Sequence, residues 1–145
     1  QTYQCAPSHC HRQRGNWRPP LSVRSFRHPW AQEREKTHQS YVVAREQSRM
    51  GYRLEGQTSI SARRPRYSMP IPLGGVQIPP AGQPIVLMRD HGSLGGYPMI
   101  GTLTRRSLSR LAQRSAGRVV SFRPIKRDEA TTEFLKYQEF FGDFR

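Results

Sequence analysis

Three stretches of the 145-residue chain carry side chains that could do chemistry. The first is Ser48-Arg49-Met50-Gly51-Tyr52-Arg53-Leu54-Glu55-Gly56, with two arginines four apart around a glycine and a tyrosine. A guanidinium grips a carboxylate or phosphate through two parallel N–H bonds, and Gly51 would let a ligand approach the backbone. The same arginines would equally serve at a solvated strand end, paired with Glu46 or Glu55. The second stretch runs from Gly75 to Pro84, where Gln77 and Gln83 offer amide groups and Pro80-Ala81-Gly82 makes a tight turn. A plain hairpin connection explains it as well. The third runs from Asp90 to Pro98, an acid followed by a glycine-rich loop that could cradle an anion or a carbonyl. Asp90 and His91 could act as acid and base, and Ser93 suggests a hydrolytic triad. Sequence neighbours rarely face one another, however, and no second histidine lies in this half of the chain, so the triad is set aside.

Short strands and turns must position these groups. Tyr41–Arg45 reads as a strand, and Gly51 and Gly56 permit turns around the first motif. Residues 57–72 are basic, contain proline and lack a period, so they read as a loop. Pro84–Arg89 is a continuous apolar run closed by Asp90 and Gly92, the pattern of a strand buried on both faces, with Leu87 at its middle. Tyr97–Leu103 supplies the returning strand. A helix follows, with Thr104 as N-cap, Leu108, Leu111 and Ala112 as its apolar stripe and Gly117 as its stop. Val119–Phe122 is another strand. Asp128 or Thr131 then opens a last helix in which Ala130, Phe134, Tyr137 and Phe141 recur on one side. Short strands with glycine and proline turns suit a small barrel better than a parallel sheet.

Composition divides the chain near residue 40. Residues 1–40 hold both cysteines, both tryptophans and four of the five histidines, yet only Leu21 and Val23 as larger aliphatic residues. No apolar period appears and four prolines interrupt, so this segment is expected to be irregular and not to pack on a core. Cys5, His9, Cys10 and His11 crowd into seven residues, where a zinc finger would separate two ligand pairs by about a dozen, so no metal site is expected. The formal charge of +14 invites a nucleic-acid reading, but only Lys36, Lys126 and Lys136 among the 24 basic residues are not arginine. Phosphate binders mix the two, so the bias points to coding composition and away from a nucleic-acid binder. A mean hydropathy of -0.78, an opening without an apolar stretch and no apolar run near the roughly 20 residues of a membrane span lead to the expectation of a soluble, cytoplasmic protein.

In order, Ser48–Gly56, Val76–Ile85, Asp90–Pro98, Leu108–Gln113 and Phe122–Pro124 resemble the family variously called biotin-dependent carboxyltransferase, allophanate hydrolase subunit 2, KipI antagonist and the C subunit of 5-oxoprolinase. The resemblance covers residues 41–145, taken as the domain, and is similar to the C-terminal half of that family. The family usually reads Arg-Gln-Thr-Thr between the aspartate and Gly-Gly, where this chain has His91-Gly92-Ser93-Leu94. The resemblance implies a mainly β, partial cyclophilin-like barrel with two peripheral helices. It implies ATP-dependent opening of 5-oxoproline to glutamate in a complex with sister subunits A and B. Alternatively it implies carboxyl transfer from carboxybiotin to urea or a related amide, or a truncated, non-catalytic module that binds its sister subunit. Under the first two, Arg53, Asp90 and Tyr97 are the candidate catalytic residues. Arg49, Gly51, Tyr52, Gln83, Gly95, Gly96 and Pro98 would bind the amide. Arg49, Tyr52 and Arg53 on one side and Asp90 and Gly95–Pro98 on the other flank expected strands, so they are expected to converge in one barrel mouth.

Overall fold

The computed structural model describes residues 20–25, 39–62, 65 and 67–141. Nine strands and two helices follow one another: β1 Leu21–Ser25, β2 Ser40–Gln47, β3 Gly51–Gly56, β4 Met69–Pro70, β5 Gly75–Gln77, β6 Ile85–Leu87, β7 Leu94–Gly95, β8 Met99–Leu103, α1 Arg105–Ala112, β9 Val119–Ile125 and α2 Arg127–Phe141. Seven of the strands close a barrel in the order β1-β8-β5-β6-β3-β2-β9, and β4 pairs with β7 as a separate two-stranded ribbon. The expected mainly β barrel with two helices is therefore present, and closure leaves its ladder without a free edge.

The barrel closes through the segment expected to be irregular. β1 pairs antiparallel with β8 and parallel with β9, placing Val23 opposite Leu103 and Leu21 opposite Phe122. Leu21 and Val23 are buried in the core, so the boundary at residue 40 is corrected. Five residues are too short a stretch to show a period, and two inward aliphatics suffice when strands already flank both edges. The Cys5–His11 cluster lies outside the described residues.

Alternation sets the interior. Tyr41, Val43, Leu54, Val76, Val86, Leu103, Val120 and Phe122 point inward, and Tyr41 stacks obliquely on Phe122 with ring centroids 5.2 Å apart. The run at β6 is not buried on both faces. Val86 is fully buried while Ile85 and Leu87 are only half-buried, because the outer face carries a partial cover rather than a second sheet. The loop read over residues 57–72 contains β4, and the returning strand starts at Met99, two residues later than expected.

α1 begins as expected, with Thr104 Oγ1 accepting from the Ser107 amide at 3.3 Å, and it drops Leu111 into the core. It ends at Ala112, however, and Gly117, at φ 79°, serves the later turn into β9. The hydroxyl of Ser107 accepts from the Ser22 amide at 2.8 Å, fastening α1 to β1. α2 is peripheral, as expected: none of its residues is buried and its apolar stripe does not enter a core. Its hold on the barrel is polar. Glu133 accepts from Ser22 Oγ at 2.8 Å, and Arg123 reaches both Glu129 and Glu133.

Candidate functional site

Strand polarity decides which of the candidate residues meet. β3 and β6 are antiparallel, with Gly51 opposite Leu87 and Arg53 opposite Ile85. The residues before β3 and after β6 therefore share one end of the barrel, and those after β3 and before β6 share the other. Arg49 and Asp90 meet at the first end. The Asp90 amide donates to the Arg49 carbonyl at 2.8 Å, and the guanidinium holds both carboxylate oxygens, at 2.7 and 3.1 Å. Both side chains are well exposed, so the bridge is a surface pair worth at most about 1 kcal/mol. Its geometry leaves Asp90 paired with a cation of its own chain. His91 turns its Nδ1 to the neighbouring Gly92 carbonyl oxygen, 2.6 Å away.

β3 then sends Tyr52 and Arg53 to opposite faces, as a period of two requires. Tyr52 lies on the inner side, packed on the core, and its hydroxyl donates to the Ala112 carbonyl at 3.2 Å at the end of α1. Arg53 is exposed on the outer side. It lies within β3, whereas Arg49 precedes the strand in the bend that leads into it. Gln83 is structural at the far end. It accepts from the Gly56 amide at 2.7 Å and donates back to the Gly56 carbonyl at 3.3 Å, clamping β3 to the entry of β6.

Tyr97 and Pro98 are at that far end too. With Ser59–Ala62, Ile78–Pro80 and Gly82 they line a half-open groove of about 360 Å³. Its walls are stitched by backbone bonds of 2.9 Å, from Ile60 to the Gly82 carbonyl, from Gly82 to the Pro79 carbonyl and from Ile78 to the Pro98 carbonyl. Gly82 holds φ at 74°, and a Cβ there would sit 2.7 Å from Ser59 Cβ, so the turn needs a glycine. The groove is lined by apolar and hydroxyl-bearing side chains alike, with no charged side chain among the described residues.

Gly95 and Gly96 run down the outer face between these two ends. Gly95, in β7, pairs with Met69 of β4, and a Cβ on it would collide with Ile71 and lie 2.9 Å from Gln77 Nε2. The ribbon thus presses onto Gln77. The ten candidate residues do not converge on one mouth. Arg49 and Asp90 pair at one end, Tyr52 turns inward, Arg53 faces outward midway, and Gln83, Tyr97 and Pro98 lie at the other end. The reason is that both motifs flank strands, so each spans the whole height of the barrel.

One residue outside that group stands out. Gln77 is buried on the outer face of β5, and its Nε2 has no hydrogen-bond partner. Its place between apolar neighbours in the second motif is the only sequence signal for it.

Residues 23–124 match the family described as carboxyltransferase domain, subdomain A and B. The chain belongs to this carboxyltransferase family. It is 43% identical over 84 residues to the 5-oxoprolinase C subunit of Haemophilus influenzae, an alignment that covers 57% of this chain and 27% of that protein. It is 36% identical over 102 residues to the 5-oxoprolinase C subunit of Escherichia coli, covering 70% and 33%. The chain therefore spans about a quarter to a third of the length of these curated relatives. The urea carboxylase of Kluyveromyces lactis shares the fold at a TM-score of 0.71 and 17% identity, over 87% of this chain and 12% of that one. Among the described residues of this carboxyltransferase barrel, no helix is long and apolar enough to cross a membrane.

Proposed function

We propose that the chain supplies the carboxyltransferase-type barrel of a complex that opens a small cyclic amide, 5-oxoproline, to glutamate with ATP hydrolysis, alongside sister subunits A and B. The observation that carries this reading is the 43% identity to a protein named as the C subunit of 5-oxoprolinase, over a stretch of 84 residues. The geometry supports a small, neutral reacting group. The segment from Gly95 to Pro98 has on one side a groove with no charged side chain among the described residues and on the other the unpartnered amide of Gln77. An uncharged, partly dehydrated lining suits an amide, which keeps its hydrogen bonds but carries no charge to desolvate. The chain's residues would hold and orient the ring.

ATP and biotin find no fitting cradle among the described residues. α1 opens on Thr104-Arg105-Arg106 and α2 on Lys126-Arg127-Asp128, without the glycine-rich turn that wraps a triphosphate. Among the described residues lining the groove, none offers a cation to a triphosphate or to the carboxylate of carboxybiotin. In this reading nucleotide chemistry falls to the sister subunits. The subunit role draws further support from α2, which leaves Leu135, Phe140 and Phe141 uncovered.

The test is co-expression of the tagged chain with subunits A and B of a related oxoprolinase, followed by an assay of ATP-dependent glutamate release from 5-oxoproline. Copurification with glutamate release supports the reading. Copurification without release favours the non-catalytic interaction module, and absence of both refutes the assignment.

A further inference from the structure

α2 carries an apolar stripe that the barrel does not use. Ala130, Phe134, Tyr137 and Phe141 recur at spacings of four, three and four, as along a helix seam, yet no residue of α2 is buried. Four of the described large hydrophobic residues that stay exposed lie on this one helix: Phe134, Leu135, Phe140 and Phe141. Its attachment to the barrel is polar, through Glu129 and Glu133, so the stripe is not what holds it there. α2 also follows the stretch that matches the carboxyltransferase family, residues 23–124, so that match does not account for the stripe.

The stripe has a defined shape and two different ends. The Tyr137 and Phe141 rings are 4.7 Å apart, Phe140 stands edge-on to Phe141 at 5.0 Å, and the Arg105 guanidinium lies over Phe134, 5.6 Å from its centroid. Arg127 stands seven residues before Phe134 and Phe141 seven after, so the three lie along one line of the helix. Arg127 is exposed and makes no ion pair among the described residues.

A line with a cation at its start and rings at its middle and end is complementary to itself when reversed. Laid antiparallel about a two-fold axis at Phe134, two copies put Phe134 on Phe134 and each Phe141 on Arg127 of the second copy. Each Tyr137 then lies beside Thr131 and Ala130 of the second copy, large against small. The two cation–ring contacts form together, about 10 Å either side of the axis at roughly 1.5 Å per residue. The charges agree. α2 holds Asp128, Glu129, Glu133 and Glu139 against Arg127 and Lys136, whereas the whole chain is +14, so two copies repel least where this helix meets its twin.

We propose that the α2 stripe pairs two copies of this chain, antiparallel, through Phe134, Phe141 and Arg127. Leu135 and Phe140 lie roughly 100° or more round the helix from Phe134 and stay outside the seam, free for other subunits. A seam of about four turns buries well under the 1,600 Å² or so of a standard interface, so the pair is weak, with a dissociation constant on the order of tens of micromolar. The pairing stands independently of the amide reading.

Sedimentation of the full 145-residue chain tests it, from about 5 to about 500 µM to bracket that constant. The mass should rise from monomer to dimer across the range. Added salt should strengthen the pairing, because it screens the +14 of each copy. Phe134→Ser and Phe141→Ser should each weaken it by about tenfold or more and leave the urea midpoint unchanged, since α2 has no buried residue. Phe141→Arg should abolish pairing by setting like charges together. Adding Arg127→Glu to it should restore the affinity to within about threefold, a rescue that a merely adhesive helix does not show. A monomer at every concentration overturns the pairing, as do Phe134→Ser and Phe141→Ser dimers as tight as wild type. Failure of the charge-swap rescue overturns the antiparallel register on which it rests. Self-association that dissolves in salt also overturns it, being the mark of an anionic polymer that bridges two copies. Glutamate release in the complex is read separately, so either reading can fail alone.

Discussion

Replacing Leu21 by alanine tests whether the barrel closes as described. Leu21 is 1% exposed and points into the core from a strand whose neighbours on both sides are long-range partners. The substitution removes three carbons, worth about 2.4 kcal/mol at roughly 0.8 kcal/mol per buried methylene. The cavity adds to this, since strands paired on both edges cannot collapse inward, and the total should reach about 3–4 kcal/mol. Urea denaturation followed by far-ultraviolet circular dichroism measures it. With a slope of about 1.5–2 kcal/mol/M the midpoint should fall by about 2 M. Val42→Ala is the control, because Val42 faces outward from β2 and should change stability by no more than about 0.5 kcal/mol. A Leu21→Ala shift below about 1 kcal/mol would mean that β1 is not part of the barrel. Limited proteolysis of the unmutated chain gives a second check. Cleavage just before Tyr41 should not yield a resistant fragment, since it strips β1 from β8 and β9 and leaves two open edges.

Three further outcomes follow from the same geometry. Val86→Ala should cost about 2–3 kcal/mol in a urea melt and Leu87→Ala less than that, because Val86 alone of the two is fully buried. Gly82→Ala should cost about 2 kcal/mol, from the positive φ and the encroachment on Ser59, and should loosen the groove as seen by faster amide exchange at Ile60. Burial of Tyr41 raises its hydroxyl pKa above the ordinary 10.0, an effect only partly offset by the contact from Gln39. The neutral form is thus favoured in the folded state. Its stabilisation is complete below the unfolded pKa and is lost as pH rises through the folded one. Alkaline unfolding should therefore set in above about pH 10, coincide with a tyrosinate absorbance step, and shift to higher pH in Tyr41→Phe.

Much of the barrel is legible in the sequence because its signals are local. Tyr41–Val43 is an aromatic and β-branched run, Thr104 is a sound N-cap, and Pro80-Ala81-Gly82 makes the turn that residue chemistry demands. What escapes is long-range. β1 has five residues and draws its place from partners some 80 to 100 positions away, which no window on the sequence contains. The continuous apolar run of β6 reads identically whether its outer face meets a second layer or only a thin ribbon, so the pattern overstates Leu87. α2 has the spacing of an amphipathic helix, yet its anchors are Glu129 and Glu133, reached by Arg123 and Ser22 from strands outside the helix. The site is hidden for a related reason. Residue types near strand ends suggest a mouth, but which end each belongs to depends on strand polarity, and that appears only with the sheet order.

The same polarity bears on what the departure at His91–Leu94 does. Backbone groups of this quartet still hold the ribbon: Ser93 accepts from the Ile71 amide at 3.0 Å and Leu94 pairs with Pro70. Neither bond consults the side chain, so the family's polar quartet can be exchanged without losing the ribbon itself. Its exposed side chains face outward, Leu94 most of all, whereas Gln77, Thr102 and Gly95 lie beneath. The change therefore alters the outside of the cover and spares the floor. Only contacts made through the outer surface of the ribbon, to a sister subunit or to a reacting group it delivers, would be weakened. Restoring Gln-Thr-Thr at Gly92–Leu94 should accordingly leave the stability of the isolated chain unchanged while raising glutamate release in the complex. A large change in that stability would place the quartet against the barrel and contradict this division between floor and cover.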